Sequence, residues 1–461
     1  MGNKSKRRSF IKKLSGTALL TASATPFLIG SDDQTKLINR KDFKSTANDN
    51  INLATIGMGI MGFINAETAL KIPGVKLVAA CDLYDGRLKH TKEVYGNDVF
   101  TTRNYKEILN RSDVDAVIIS TSDHWHDRIS IEAMEAGKAV YCEKPMVHQL
   151  GEGLDVVKAQ DKNNAIFQVG SQRVSSIVYL KAKELYEAGA IGQLILAEAW
   201  YDRRSANGAW QYPIPRDAST KTVDWDRFLG DAPKRDFDAT RFFRWRNYQD
   251  YGTGVAGDLF VHLFSGLHLI LGSMGPSRVY TTGGLRYWKD GRDVPDVMIG
   301  CYDYAETASH PAFNLQMRVN FVDGGGGGQT IRLVGTEGVM TIGNTVKIVN
   351  NKIEDIPTYG GWDSYNTFDE DNKKAYAEWH GKTYPKQISQ TSGGETEYRA
   401  PAGYSDHIDH YANFFSAMKS GNKVVEDAAF GFRAAAAALA SNQSYFDQKV
   451  INWDPVAMKV L

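Results

Sequence analysis

Cysteine is scarce: the chain has three in 461 residues, Cys81, Cys142 and Cys301. An odd, widely spaced set, two of them in apolar strand-like runs, argues against a disulfide framework and against a cysteine-held metal centre. Net charge is missing too, since 54 lysines and arginines balance 54 acids. Nothing in that balance points to nucleic acid or an anionic membrane as partner. Beyond the first few dozen residues no apolar run approaches the ~20 residues of a membrane span. What remains is an ordinary globular composition, 42% hydrophobic and 23% charged, in a chain long enough for two domains with their own cores.

The charge is unevenly placed. Lys4, Lys6, Arg7, Arg8, Lys12 and Lys13 all fall in the first 24 positions, which hold no acid, so the remainder is net acidic. Lys6-Arg7-Arg8-Ser9-Phe10-Ile11-Lys12 is a twin-arginine pattern, followed by a mild apolar stretch and the small residues Ala22-Ser23-Ala24. This order predicts a signal peptide over 1–24, cleaved near Ala24, with export by the twin-arginine machinery to the periplasm. No cysteine follows the apolar stretch, which argues against a lipid anchor. Residues 25–50 read as a polar linker.

From Ile51 the pattern becomes strand, glycine turn, helix, strand, acid. Asn52–Ile56 leads into Gly57-Met58-Gly59-Ile60-Met61-Gly62, a helical stretch follows, and Val75–Cys81 ends in Asp82. This is the dinucleotide-binding fingerprint in its full context. Gly57 permits the tight turn, Gly59 lets the backbone approach a pyrophosphate, and Gly62 allows close helix–strand packing. The helix N-terminus meets the pyrophosphate charge. Asp82 is placed to accept the ribose hydroxyls and to repel a 2′-phosphate, so NAD is expected rather than NADP. Strands and helices alternate through Val169, which predicts an α/β Rossmann domain over 51–170 with a parallel sheet covered on both faces.

Two turns after strands stand out. Thr121-Ser122-Asp123-His124-Trp125-His126 follows Ala116–Ser120. Glu143-Lys144-Pro145 follows Ala139–Cys142, where proline ends the ladder. Both lie at the carboxyl edge of the sheet, where open α/β folds bind ligands. The two histidines, two apart in a turn, favour capping and cofactor contact over a metal site, and no metal is expected. The expected cofactor contacts are Gly57, Met58, Gly59, Ile60, Met61, Gly62, Asp82, Ser120, Thr121, Asp123, Trp125, His126, Glu143, Lys144 and Gln172.

The fingerprint, Asp82, the Thr-Ser-Asp-His-Trp-His turn and Glu-Lys-Pro together resemble the Gfo/Idh/MocA oxidoreductases, over roughly residues 51–440. Ser122 departs from the proline usual there. Alternating runs over 278–304 and 313–345, such as Asn314-Leu315-Gln316-Met317-Arg318-Val319, fit an antiparallel sheet. A second, α+β domain with a mostly antiparallel open sheet, for substrate binding and dimerisation, is therefore expected over 171–461. The resemblance implies pairing through the open face of that sheet, as a homo-oligomer. Gly257-Asp258-Leu259-Phe260-Val261-His262 supplies an acid and an imidazole four apart, on one face if helical. The resemblance places such a pair opposite the family's lysine, so Lys144, Asp258 and His262 are the expected catalytic residues, with Asp258 orienting the imidazole. His268 reads as packing or capping.

Residues 200–251 interleave aromatics with arginines, which suggests a carbohydrate pocket among core residues. Tyr201, Arg244 and Arg173 are the expected substrate contacts. Gly324–Gly328 reads as a hairpin tip, and 350–402 as an irregular insertion. The pieces specify hydride transfer between NAD and a sugar hydroxyl. Free NAD is scarce in the periplasm, so an exported enzyme is expected to hold its cofactor tightly. Resemblance to exported members from polysaccharide-degrading bacteria suggests a polysaccharide-derived sugar. A redox-neutral glycosidase is the alternative, although the related glycosidase branch lacks the lysine kept here. A non-catalytic NAD-binding sensor or scaffold is a third reading.

Overall fold

The computed structural model describes residues 50–351, 356–384 and 394–461. The expected leader over 1–24 and nearly all of the 25–50 linker lie outside the described residues. The first domain is a six-stranded parallel sheet of β1 (Ile51–Ile56), β2 (Val75–Cys81), β3 (Phe100–Thr102), β4 (Ala116–Ile119), β5 (Ala139–Cys142) and β6 (Phe167–Val169), in the order 3-2-1-4-5-6. β4 and β5 are buried at every position. Their near-continuous apolar runs are what a strand covered on both faces requires.

The second domain is a ten-stranded mixed sheet. It contains β7 (Leu194–Asp202), β8 (Arg278–Gly284), β9 (Val297–Tyr304), β10 (Phe313–Asn320), β11 (Gly328–Gly335), β12 (Gly338–Ile342), β13 (Thr345–Asn350), β14 (Glu395–Arg399), β15 (Ile451–Asp454) and β16 (Lys459–Val460). The order is 14-13-12-11-7-10-9-8-15-16, antiparallel except where β7 runs parallel to β10. Residues along β10 alternate buried and exposed, so one face is covered by helices and the other is open.

The glycine link corrects the sequence reading. β10 and β11 are not neighbours, because β7 lies between them, so Gly324–Gly328 is a crossover past the end of β7 and not a hairpin tip. The Asp323 carboxylate accepts from the amides of Gly325 (3.1 Å) and Gly327 (2.6 Å). A Cβ at Gly327 would lie 3.0 Å from the Asp202 carbonyl oxygen. The stretch expected to be irregular contains a helix, Glu370–Thr383, capped by Asp369 and with no buried residue.

The chain's last helices join the two domains. Asp406–Ser420 brings Tyr411, Phe414 and Phe415 against the first-domain residues Leu53, Ile118 and Tyr141. Ala428–Asp447 runs between the two cores, giving Ala434, Ala437 and Ala438 to one and Phe432, Ala436 and Leu439 to the other. Its alanines follow from that position: a helix packed on both sides needs small residues for close approach. A Cβ at Gly431 would sit 2.4 Å from Val169 Cγ2.

Candidate active site

The glycine turn is built for close approach. A Cβ at Gly62 would lie 2.0 Å from Gly57 O, and one at Gly57, where φ is +93°, 2.5 Å from Ser120 O. Gly59 faces open space, with only the Arg87 guanidinium 3.9 Å away. The helix Ile60–Ala69 that starts there has no side-chain cap and no acid in its first turn, so its free amides are available to an anion. Asp82 is buried at the end of β2 and accepts from the amides of Met58 (2.7 Å) and Tyr84 (2.9 Å). Arg87 approaches its carboxylate at 3.4 Å. The turn therefore suits a dinucleotide pyrophosphate, with Asp82 at the ribose.

A cleft of about 910 Å³ opens here, lined below by Gly57, Gly59, Ile60, Met61, Asp82, Ser120, Thr121 and Trp125. Its roof comes from the second domain: Tyr212, Phe228, Phe242, Phe243, Trp245 and Arg246. This relocates much of the aromatic segment. Trp225, Phe228, Phe242, Phe243, Tyr248 and Tyr251 form one cluster with Tyr84 of the first domain, roofing the cofactor cleft rather than a sugar pocket. Composition cannot say which surface such rings will meet.

The roof is tied on both sides. Leu83 O accepts from Asp224 N (2.8 Å), and Asp85 N donates to Thr222 O (3.0 Å). On the other side, Trp125 Nε1 donates to Phe228 O (3.0 Å), and His124 Nε2 lies 2.9 Å from the same carbonyl. Burial pushes the His124 imidazole down to about 4. Two expected cofactor contacts have their side chains engaged elsewhere. Asp123 accepts from Thr253 N (3.0 Å) and Thr253 Oγ1 (2.7 Å), tying the two domains together. His126 Nδ1 is 2.7 Å from Pro145 O. The turn after β4 thus serves largely as a tether.

Behind the cleft's Ser120 and Arg246, β5 delivers Glu143 and Lys144, the latter joined to Pro145 by a cis bond. Glu143 is buried and accepts from Asn65 Nδ2 (2.9 Å) and Gln172 Nε2 (3.3 Å). Gln172 thus positions Glu143. Asn65, which sequence reasoning passed over, also donates to Ser120 Oγ (3.1 Å). Lys144 Nζ donates to Asp258 Oδ1 (2.9 Å) and to Asp258 O (2.8 Å), and Arg246 Nε reaches the same Oδ1 at 3.2 Å. Burial pushes the Asp258 carboxyl up, but Lys144, Arg246 and Arg203 outweigh it and hold the group well below the usual carboxylate range.

The Asp–His pair is the clearest departure. Ala256–Phe260 is a π-helical turn, and the α-helix Val261–Leu271 begins after it. A simple i,i+4 face does not apply across that change of pitch. Asp258 bonds to Lys144 and Arg246, and no Asp258–His262 hydrogen bond forms among the described residues. The π-turn depends on Gly257, where a Cβ would come within 2.1 Å of Thr253. Burial and the Lys144 charge push the partly buried His262 imidazole well below its ordinary value, so it is neutral. His268 is a core residue, with Nε2 3.0 Å from Tyr304 Oη.

Of the expected substrate contacts, Tyr201 has its ring 6.1 Å from that of His262. Arg173 is paired with Asp406 at 3.2 Å. Arg244 braces a loop, donating from Nε to Tyr212 O (2.8 Å) and from Nη1 to Gln211 Oε1 (2.5 Å). Two residues on, Arg246 occupies the site. Alternation along a turn was the only available signal, and it does not distinguish the two.

Residues 51–171 match the model of the oxidoreductase family with an NAD-binding Rossmann fold, Gfo/Idh/MocA. The nucleotide-binding domain belongs to the Gfo/Idh/MocA family. Inositol 2-dehydrogenase of Salmonella typhimurium is 28% identical over 160 residues, 34% of this chain and 48% of that protein. A glycosyl hydrolase family 109 protein of Shewanella baltica is 31% identical over 193 residues, 38% of this chain and 39% of its own length. The chain thus spans half or less of the length of these curated relatives. Levoglucosan dehydrogenase, solved with NADH and levoglucosan, superposes with a TM-score of 0.63 at 17% identity, covering 87% of this chain and 99% of that one. This likeness shows a shared two-domain fold that takes in both sheets.

Proposed function

We propose that the protein is an NAD-dependent oxidoreductase acting on a CH–OH group of a sugar or sugar derivative. The observation that carries this reading is the meeting of Lys144, from the carboxyl edge of the parallel sheet, with Asp258 of the second domain. Arg246 joins that pair to the dinucleotide cleft, because it both lines the cleft and bonds Asp258. When bound, NAD supplies the hydride acceptor. Gly57, Gly59, Gly62 and Asp82 would hold its adenosine and pyrophosphate half, with Glu143 near the other end.

The division of labour follows from the donors left over. An ammonium has three N–H groups. Asp258 takes two from Lys144, leaving one to hold the substrate hydroxyl oxygen. His262 is neutral and has no hydrogen-bond partner among the described residues, so it can accept the hydroxyl proton. Asp258 keeps Lys144 and Arg246 in place and ionised groups balanced.

The tied aromatic roof supports a cofactor held through turnover, and the twin-arginine pattern supports a periplasmic setting in which such retention is useful. Similarity to a glycosyl hydrolase family 109 protein gives the redox-neutral glycosidase reading a specific basis, and Lys144 weighs against it. The test is to measure nucleotide co-purifying with the protein, then offer sugars and aryl glycosides. Appearance of NADH absorbance with a sugar, lost in His262→Asn with nucleotide retained, supports the oxidoreductase. Aglycone release without net cofactor reduction points to the glycosidase instead, and bound nucleotide that no sugar reduces points to a binding protein.

A further inference from the structure

Arg203 follows β7 directly, and its guanidinium lies 5.2 Å above the Tyr201 ring and 5.7 Å from the Phe321 ring centre. Nη1 donates to Gly208 O at 2.9 Å. The group is therefore held in one pose by two rings and a carbonyl. The Nε and Nη2 edge has no protein partner among the described residues, and that edge is the one a carboxylate meets with two parallel hydrogen bonds.

The nearby acids are committed elsewhere. Asp202 pairs with Arg318 at 2.8 Å, Asp323 is capped by the glycine amides, and Asp258 is shared by Lys144 and Arg246. Arg173 has its own partner in Asp406. Arg203 is thus a positioned cation with no carboxylate partner among the described residues. It belongs to the site: its charge acts on Asp258, His262 and Tyr212 alike. The Tyr201 ring neighbours both, 5.2 Å from the Arg203 guanidinium and 6.1 Å from the His262 ring.

From this arrangement we propose that the substrate is an anionic sugar of the uronic acid class, its ring against Tyr201 and its carboxylate on Arg203 while the reacting hydroxyl faces His262 and Lys144. This rests on the oxidoreductase reading and narrows it. The apolar faces of a pyranose suit the Tyr201 ring. A carboxylate that left water for this edge would gain a charge-assisted, two-bond contact, whereas a neutral sugar would leave the cation unanswered.

The test uses the full chain loaded with NAD and two matched pairs, D-glucuronate against D-glucose and D-galacturonate against D-galactose. Binding is followed calorimetrically and turnover by NADH absorbance, for the native protein, Arg203→Gln and Arg203→Lys, with bound nucleotide measured in each as a check on folding. The native protein should favour the acid in at least one pair. Arg203→Gln should reduce the acid-to-neutral ratio by about 10- to 100-fold, the scale of a charged hydrogen bond, mainly through KM. Arg203→Lys should recover part of it, since charge is kept and the fork lost. Equal affinity for acid and neutral sugar, an unchanged ratio in Arg203→Gln, or no binding of any of the four overturns the assignment. Acid-selective binding that depends on Arg203 but yields no NADH upholds the assignment and overturns the oxidoreductase reading.

Discussion

Asp258 takes two cations from two directions, Lys144 on the first domain's sheet edge and Arg246 on the roof. It and Lys144 are nearly buried, at 8% and 10% side-chain exposure. Removing one partner from such a set leaves charges uncompensated away from water, which costs about 3–5 kcal/mol. Asp258→Asn should lose stability on that scale in denaturant unfolding and should lose turnover with it, as Lys144 drifts from the hydroxyl. Unfolding within about 0.5 kcal/mol of the native protein would show that the three groups are solvated in solution. Asp258 was legible as a functional acid from its spacing to His262 and from the resemblance. The resemblance set it opposite Lys144; that it bonds Lys144 and Arg246 and not His262 was not legible, because a π-helical turn is invisible to a spacing argument that assumes 3.6 residues per turn.

The element that most changes the functional picture is the roof, the aromatic run from Trp225 to Tyr251. It is second-domain chain, yet its rings pack on Tyr84 and it is tied to the turn after β4 through Phe228 O. Trp125→Phe keeps a ring in the cleft and deletes one of these ties, worth about 1 kcal/mol. Nucleotide should leave roughly 3- to 10-fold faster, read by displacement of bound NADH in a stopped-flow fluorimeter. An unchanged release rate would mean that the roof does not gate the cofactor. The glycine turn was readable because the dinucleotide motif is local: its requirements fall on six consecutive residues and one acid. The roof was not, since its meaning depends on a surface more than a hundred residues away.

Across the whole molecule, buried histidines set the response to acid. Burial pushes His124 and His410 down to about 4, His268 to about 3, and His262 well below its ordinary value. A folded-state pKa below the unfolded value of about 6.5 means that the unfolded chain binds more protons as pH falls. The stability these groups contribute is complete above about pH 6.5 and is lost as pH drops toward about 4. Each group costs on the order of 2 kcal/mol by pH 5. Glu426 opposes this in part. Burial raises its pKa well above the carboxylate range, so its contribution is full below about 4.5 and falls as pH rises. With the four histidines outweighing Glu426 and the smaller upward shifts that burial gives Glu152, Asp202 and Asp293, Tm should be flat from pH 8 to 7 and drop by several degrees by pH 5. A Tm that holds steady to pH 5 would remove the histidines from this role.

The sequence alone determined the nucleotide fold, the sheet edge carrying Lys144, and the presence of an acid and an imidazole downstream. Each rests on short-range rules of turn geometry, strand termination and burial of polar groups. Only the tertiary structure decided what those groups touch. It gave Asp258 to Lys144 and Arg246, and turned Asp123 to tethering the domains and His126 to bracing the turn at Pro145. It placed the aromatic run over the cleft, made the glycine link a crossover, and left Arg203, beside Tyr201, as a cation without a carboxylate partner among the described residues. Partners of this kind are chosen by packing between segments distant in the chain, which local spacing does not encode.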